Sequence, residues 1–277
     1  MVNKLLLRCP LCQSVFQQNT EGVSCINQHQ FDRAKDGYFN LLPVQHKNSK
    51  NPGDTKEQLK ARREFLQAGY FEPLKQALYS VIDKEAESLL DLGCGEGHFT
   101  SAFAELLPNA DIYGVDIAKA GIALAAKAAK KKTNLNYWVA SNFDLPLEDQ
   151  SMDVIVRILA PSKDSELLRV LKSNGKLILV VPGQQHLIEL RKKIYQEIRP
   201  LQALPEVDGF ELTKTTNIQF SITLDQPEKV KSLLNMTPFA WKINQDKKDL
   251  LFSEKLNDAA DFLIGEYEMI SGEITPY

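Results

Sequence analysis

The segment Leu89–Thr100, Leu-Leu-Asp-Leu-Gly-Cys-Gly-Glu-Gly-His-Phe-Thr, constrains this chain more than any other stretch. An apolar run closes on Asp91, and Gly93, Gly95 and Gly97 then follow at every second position. Glycines so spaced let the backbone turn sharply and approach a ligand that any Cβ would hold off. The pattern therefore reads as strand, glycine turn, helix. A dinucleotide site wants Gly-x-Gly-x-x-Gly, and the third glycine of that pattern would fall on His98, so a dinucleotide is excluded. A second acid supports a nucleoside-like ligand of another kind. Asp111–Asp116 reads as the next strand, and Asp116 closes it 19 residues after Gly97. An acid at that place can accept both hydroxyls of a ribose.

From residue 86 onward short apolar runs alternate with helical stretches. The pattern predicts strands over 88–92, 111–116, 135–141, 152–159 and 175–182, and helices over 97–107, 118–132, 164–172 and 186–198. Such alternation predicts an α/β fold whose mainly parallel sheet is covered on both faces, with ligands beyond the carboxyl ends of the strands. Residues 210–224 alternate at period 2, as strands do. Gln226–Leu234 reads as a helix and Asp261–Ile270 as a last edge strand. No internal repeat or low-complexity segment interrupts the 277 residues, a length that suits one large domain or a large and a small one. No apolar run approaches the ~20 residues that span a bilayer. Leu5-Leu6-Leu7 is too short for a signal-peptide core and runs into Arg8, so a cytoplasmic protein with no membrane association is expected.

The amino-terminal part carries different chemistry. Cys9-Pro-Leu-Cys12 is followed by Cys25-Ile-Asn-Gln-His29. Three thiolates and one imidazole at this spacing suit one tetrahedral structural zinc, with no open position for catalysis. In a reduced compartment cysteines read as ligands or core residues rather than disulfides. About 40 residues bury too little to fold alone, so the metal supplies much of their stability. Charge divides along the chain as well. Residues 1–63 hold 10 Lys/Arg against 5 Asp/Glu, and the remainder 23 against 31. A basic end on an otherwise acidic chain points to a polyanionic partner. Thr55 or Asp54 is the expected cap of a helix over Lys56–Gln67 that bears Lys60, Arg62 and Arg63. With the basic loop 44–54 and the aromatics that follow the metal motif, that helix suits phosphates and unpaired bases. A solvated linker and helix is the competing reading.

Asp91-x-Gly93-x-Gly95-x-Gly97 resembles the first motif of class I S-adenosylmethionine-dependent methyltransferases. In that class the turn after the third strand usually sets an acid against the adenine. Ser141 stands there in this chain, leaving Asn142 or its backbone to read the base and Phe143 to stack on it. The fourth strand ends Arg157-Ile158-Leu159-Ala160-Pro161-Ser162, without the Asn/Asp-Pro-Pro-aromatic run of enzymes that methylate exocyclic amines. No cysteine follows the third or fourth strand, which disfavours a covalent C5-pyrimidine route. A ring nitrogen that must lose a proton fits what remains. The fifth strand ends at Val181-Pro182-Gly183, and His186 beyond it either contacts cofactor, accepts a proton or merely caps a helix.

Over nearly its whole length the chain resembles the RlmA family of bacterial 23S ribosomal RNA (guanine-N1) methyltransferases. The likeness rests on Cys9-Pro-Leu-Cys12, Cys25 to Asp32, Gly37-Tyr38, Asn40 to Lys47, Pro52-Gly53-Asp54, Gly93 to Gly97, Ala160-Pro161, Pro182-Gly183, His186-Leu187 and Met236 to Trp241. The resemblance implies a zinc module for RNA recognition, a homodimer with an RNA-sized cleft, and a 23S ribosomal RNA hairpin as partner. It also implies that Phe71, Gly95, Glu96 and His186 lie in the cofactor site. Phe71 stands where the family more often has tyrosine, and Ser162 where it has cysteine. The full expected S-adenosylmethionine set is Phe71, Asp91, Gly93, Gly95, Glu96, Gly97, His98, Asp116, Asn142, Phe143 and His186, and the zinc set is Cys9, Cys12, Cys25 and His29. Asp164, Glu166 and His186 are unranked candidates for the proton acceptor. The expected division is a zinc module over 1–45, basic linker and helices over 46–80, and a methyltransferase domain over 81–277. A small-molecule methyltransferase with an accessory zinc knuckle, or a non-enzymatic RNA-binding protein, are the alternatives.

Overall fold

The computed structural model describes residues 6–18, 22–46, 52–129 and 132–270; Lys47 and Lys50 of the basic loop lie outside them. Strands β1 (Phe16–Gln18), β2 (Gly22–Cys25) and β3 (Gln30–Asp32) form a small antiparallel sheet at the amino end. Next come β4 (Phe39–Asn40), α1 (Lys56–Gln67) and α2 (Glu72–Val81). The expected alternation follows: β5 (Ser88–Leu92), α3 (His98–Leu106), β6 (Asp111–Asp116), α4 (Lys119–Ala128), β7 (Leu135–Val139), β8 (Met152–Ile158), α5 (Asp164–Val170), β9 (Leu171–Pro182) and α6 (Ile188–Ile194). The carboxyl part adds β10 (Phe210–Leu224), α7 (Pro227–Asn235), a 3-10 turn (Pro238–Trp241), α8 (Gln245–Ser253) and β11 (Leu256–Met269).

The large sheet runs β10-β11-β9-β8-β5-β6-β7-β4. All strands from β9 to β4 are parallel, and β11 is antiparallel to both its neighbours. The chain leaves β5 toward β6 and β7, then returns to place β8 and β9 on its other side. That reversal of strand order opens a crevice beyond the carboxyl end of β5, where ligands of such sheets bind.

Two expectations need correction. The segment around 261–270 is not an edge: β11 starts at Leu256 and lies between β9 and β10, and β10 is the edge. The acids Asp258, Asp261 and Glu266 disguise a buried strand as a surface one. Each is nevertheless nearly enclosed, while Ala260, Phe262 and Ile264 between them are wholly buried. The fifth parallel strand begins at Leu171, four residues before the expected start, because the chain passes from α5 into the sheet without a loop.

The amino-terminal module does not stand apart from the sheet. β4 pairs with β7 as an eighth strand, Phe39 opposite Trp138 and Asn40 opposite Val139. The Arg8 N–H donates to the Pro146 carbonyl at 3.1 Å, the Glu148 N–H to Leu6 at 2.9 Å and the Leu41 N–H to Val139 at 2.9 Å. Leu7, Phe16, Val23, Phe39 and Leu41 pack in one apolar cluster with Leu90, Leu92, Val115 and Leu147. Of the aromatics that follow the metal motif, Phe39 is buried in these contacts and Tyr38 in a neighbouring cluster with Ile122, Ala125 and Tyr137. A chain too short for its own core has thus borrowed one.

Leu7 carries much of this junction, being fully buried against the sheet. Leu7→Ala should cost about 2–5 kcal/mol. It should lower the midpoint of a single thermal unfolding transition. A separate low-temperature transition in calorimetry would show instead that the module melts alone.

Candidate functional site

The metal centre follows from two tight turns. The Gln13 N–H donates to the Cys9 carbonyl at 2.7 Å and the Gln28 N–H to the Cys25 carbonyl at 2.9 Å. These turns bring all four ligand atoms within 4.8 Å of one another. Nδ1 of His29 lies 3.4 Å from Sγ of Cys9 and 3.5 Å from Sγ of Cys25, and the Cys12 and Cys25 sulfurs are 3.6 Å apart. Zinc bonds of about 2.3 Å to sulfur and about 2.0 Å to nitrogen give tetrahedral edges of this size. Burial raises the Cys9 thiol to about 11, while contact with the Ser14 hydroxyl brings Cys12 down to about 5. Three thiolates this close need a cation between them, and a structural zinc meets that need.

The glycine turn is held by two acids. Gly93 (φ +79°) donates its N–H to Val115 at 2.8 Å. Gly95 (φ +58°) donates to Oδ2 of Asp116 at 2.9 Å, and the Ala118 N–H to Oδ1 at 2.7 Å. A Cβ on Gly93 would stand 2.4 Å from that of Ala160 and 3.4 Å from Nδ2 of Asn142, so the ends of β5 and β8 and the turn after β7 converge there. Gly97 begins α3 against Tyr137. Asp91 lies beneath the turn at 2% exposure, accepting from the Thr100 hydroxyl at 2.6 Å. Burial pushes Asp91 up to about 7 and raises Asp116 as well.

Three oxygens beside this turn are buried and have no hydrogen-bond partner among the described residues: the Tyr137 hydroxyl against Gly97, and the acceptors Oε1 of Glu96 and Oδ1 of Asn142. Orphaned acceptors cost about 1–3 kcal/mol each, and sites that tolerate them have a use for them. S-adenosylmethionine carries the matching donors in its ammonium, its ribose hydroxyls and its adenine amine. The space over Gly95 is the second sign of fit, since among the described residues a Cβ there would approach only one side chain, Arg62.

The expected residues fall into distinct groups. Gly93, Gly95, Glu96, Gly97, Asp116 and Asn142 surround the turn, with His98 at the start of α3 and Asp91 underneath. Phe143 stands at the rim, half in solvent. Phe71 and His186 form an aromatic cluster over β11, with Phe262 at 5.1 Å from Phe71 and 4.6 Å from His186. Nδ1 of His186 accepts the Asp261 N–H at 3.3 Å, and burial lowers the imidazole to about 4. The ring is therefore neutral with its proton on Nε2. It presents a donor and is too weak a base to take a proton from guanine.

Arg62 and Arg63 are the residues that sequence reasoning misplaced. They lie against the glycine turn. Arg63 donates from Nε to Oε2 of Glu96 at 3.1 Å, and Arg62 pairs with Asp54. Only Lys60 of the three is largely exposed. The signal was present: Leu59, Arg62, Arg63 and Leu66 share one helical face, and Leu59 and Leu66 are buried. Thr55, not Asp54, caps this helix: Gln58 donates its N–H to the Thr55 hydroxyl at 3.2 Å and accepts the Thr55 N–H at 2.9 Å. Asp54 is thereby left for Arg62.

Fold, glycine turn and zinc cluster together define an S-adenosylmethionine-dependent methyltransferase with an integral zinc ribbon. Residues 7–50 match the RlmA amino-terminal zinc ribbon and residues 83–237 a methyltransferase domain. YxjB of Bacillus subtilis (strain 168), provisionally named a 23S rRNA (guanine-N(1)-)-methyltransferase, is 34% identical over 94% of this chain and 96% of its own. The 23S rRNA (guanine(748)-N(1))-methyltransferase of Streptomyces fradiae is 28% identical over 87% of this chain and 88% of its own. A Micromonospora griseorubida protein of the same provisional name as YxjB is 29% identical over 85% of this chain and 86% of its own. The chain belongs to the RlmA family.

Because its folded pKa of about 4 lies below the usual 6.5, His186 binds its proton more readily in the unfolded chain. Its contribution to stability is complete above about pH 6.5 and is lost as pH falls toward 4. The loss amounts to about 3 kcal/mol at the acid end. The thermal-stability advantage of the parent over His186→Gln should therefore shrink steadily across that interval. An advantage independent of pH would mean that the imidazole is charged or solvated in the fold.

Proposed function

We propose that the protein transfers a methyl group from S-adenosylmethionine to N1 of a guanine in 23S ribosomal RNA. The observation that carries this reading is the zinc ribbon built into the edge of a methyltransferase sheet, in a chain similar along its length to proteins named for that reaction. The cofactor supplies an electrophilic methyl on a sulfonium. Gly93 and Gly95 admit it close to the backbone, Asp116 accepts ribose hydroxyls, and the free oxygens of Glu96 and Asn142 accept its other donors. Phe143, exposed beside Asn142, is placed to stack on a base.

Guanine N1 carries a proton that must leave. Of the three expected acceptors, His186 holds its own proton on Nε2. Glu166 is bracketed by Arg169 at 2.7 and 3.0 Å and by the Leu145 N–H at 2.7 Å. Asp164, at the start of α5 beyond β8, takes only the Asp208 N–H at 3.2 Å among the hydrogen bonds described, and is the acceptor this reading favours. Among the described residues no helix is long and apolar enough to cross a membrane. A ribosomal RNA substrate makes the protein cytoplasmic in this reading. The reading keeps the expected division into zinc module, linker helices and methyltransferase domain, and the homodimer.

Incubation with 23S ribosomal RNA and S-adenosylmethionine should produce a single primer-extension stop at a guanine, since N1 methylation blocks pairing. Gly95→Val should remove the stop by filling the cofactor's place. Methyl incorporation into small molecules but not into RNA would overturn the proposal.

A further inference from the structure

We propose that Arg62 recognises the carboxylate of the cofactor's methionine moiety, giving up Asp54 to do so. The inference rests on S-adenosylmethionine as cofactor and is independent of which substrate accepts the methyl.

The cofactor has one anionic group, and the turn that receives it is lined by acids. Asp91 lies beneath it, Asp116 accepts the Gly95 N–H, and Glu96 follows in the chain. A carboxylate entering this surround needs a cation of its own. Two arginines of α1 lie against the turn. Arg63 is committed, with Nε on Glu96 at 3.1 Å and a second nitrogen on the Leu124 carbonyl at 3.5 Å. Arg62 is committed only to Asp54, and both members of that pair keep 30% of their side-chain surface in solvent. An ion pair so exposed is weak and exchangeable.

Position singles out Arg62 further. Apart from its chain neighbours, its guanidinium is the one group among the described residues within 4 Å of where a Cβ on Gly95 would stand, at 3.3 Å. It thus overhangs the residue whose missing side chain makes room for the cofactor. α1 is anchored by the Thr55–Gln58 capping box and by Leu59, which is fully buried and lies next to Gly121. The planar fork of an arginine matches a carboxylate with two parallel hydrogen bonds. Asp54 then acts as a stand-in, keeping Arg62 paired until a better carboxylate arrives.

Calorimetry on the full-length zinc-loaded protein, without RNA, tests this with S-adenosylmethionine and with decarboxylated S-adenosylmethionine. The two ligands differ only in the carboxylate. The parent should favour the former by about 10- to 100-fold, the range of a charge-assisted pair. Arg62→Gln should erase that preference by weakening S-adenosylmethionine alone, and Arg62→Lys should recover part of it. Asp54→Asn should strengthen S-adenosylmethionine a few-fold and leave the decarboxylated ligand unchanged, an arm that holds even if the Arg62 variants fold poorly. Equal weakening of both ligands in Arg62→Gln would show a scaffold residue. No change in either, or a preference indifferent to Asp54→Asn, would equally overturn the proposal.

Discussion

The bond from the Gly95 N–H to the Asp116 carboxylate is the interaction on which the site depends. It joins the end of β5 to the end of β6, and so fixes the glycine turn relative to the strand that follows it. Asp91 does the same from below by bonding Thr100 of α3. Both acids are raised by burial, Asp91 to about 7, because the fold surrounds them with apolar strands and brings them near each other. Concentrated negative charge in a poorly solvated crevice favours a cation. The sulfonium and ammonium of S-adenosylmethionine are cations of the kind such a crevice favours. The arginines of α1 then act as trim. Arg63 neutralises one oxygen of Glu96 and leaves the other free.

The same economy joins the zinc ribbon to the sheet. A metal organises the two turns of the module, but the apolar side chains it frees have too little company of their own. They complete the cluster around Leu90, Leu92 and Val115, and β4 satisfies the open edge of β7. An uncovered parallel edge would be a site for unwanted pairing. The module therefore protects the sheet while the sheet supplies its core. The shared core and the β4–β7 pairing fix how the module sits on the sheet.

Much of this was legible in the sequence, for reasons that can be stated residue by residue. The glycine spacing, the acid at Asp116 and the Cys/His spacing each demand one local geometry, and the structure supplies it. The alternation from residue 86 gave the parallel strands nearly to their ends. The failures occurred where a side chain's class misrepresents its surroundings. Asp258, Asp261 and Glu266 made β11 look like an edge, although each is enclosed and bonded: Asp258 accepts two backbone N–H groups of α6, Asp261 accepts from Gln185 and Asn217, and Glu266 pairs with Lys176. Arg62 and Arg63 looked like a basic surface because charge was counted along the chain instead of around the helix. Aromatics near the metal motif looked free because nothing local shows that a module will share its neighbour's core.

Methyl transfer is an in-line displacement, so the protein's task is alignment and exclusion of water more than acid–base chemistry. The side chains at the strand ends reflect that. His186 is buried and neutral, with its acceptor nitrogen already used by the Asp261 backbone. It can hold a ligand oxygen or nitrogen through Nε2, which fixes position without exchanging protons at neutral pH. Phe71 packs edge-on to Phe65 and Phe262 and lends the same corner a rigid wall. A phenol at position 71 would need a polar partner when buried. Phenylalanine needs none, and the surrounding rings of Phe65, Phe220 and Phe262 offer none. Phenylalanine at 71 is thus matched by its apolar neighbours, and His186 is the polar side chain in contact with that aromatic group.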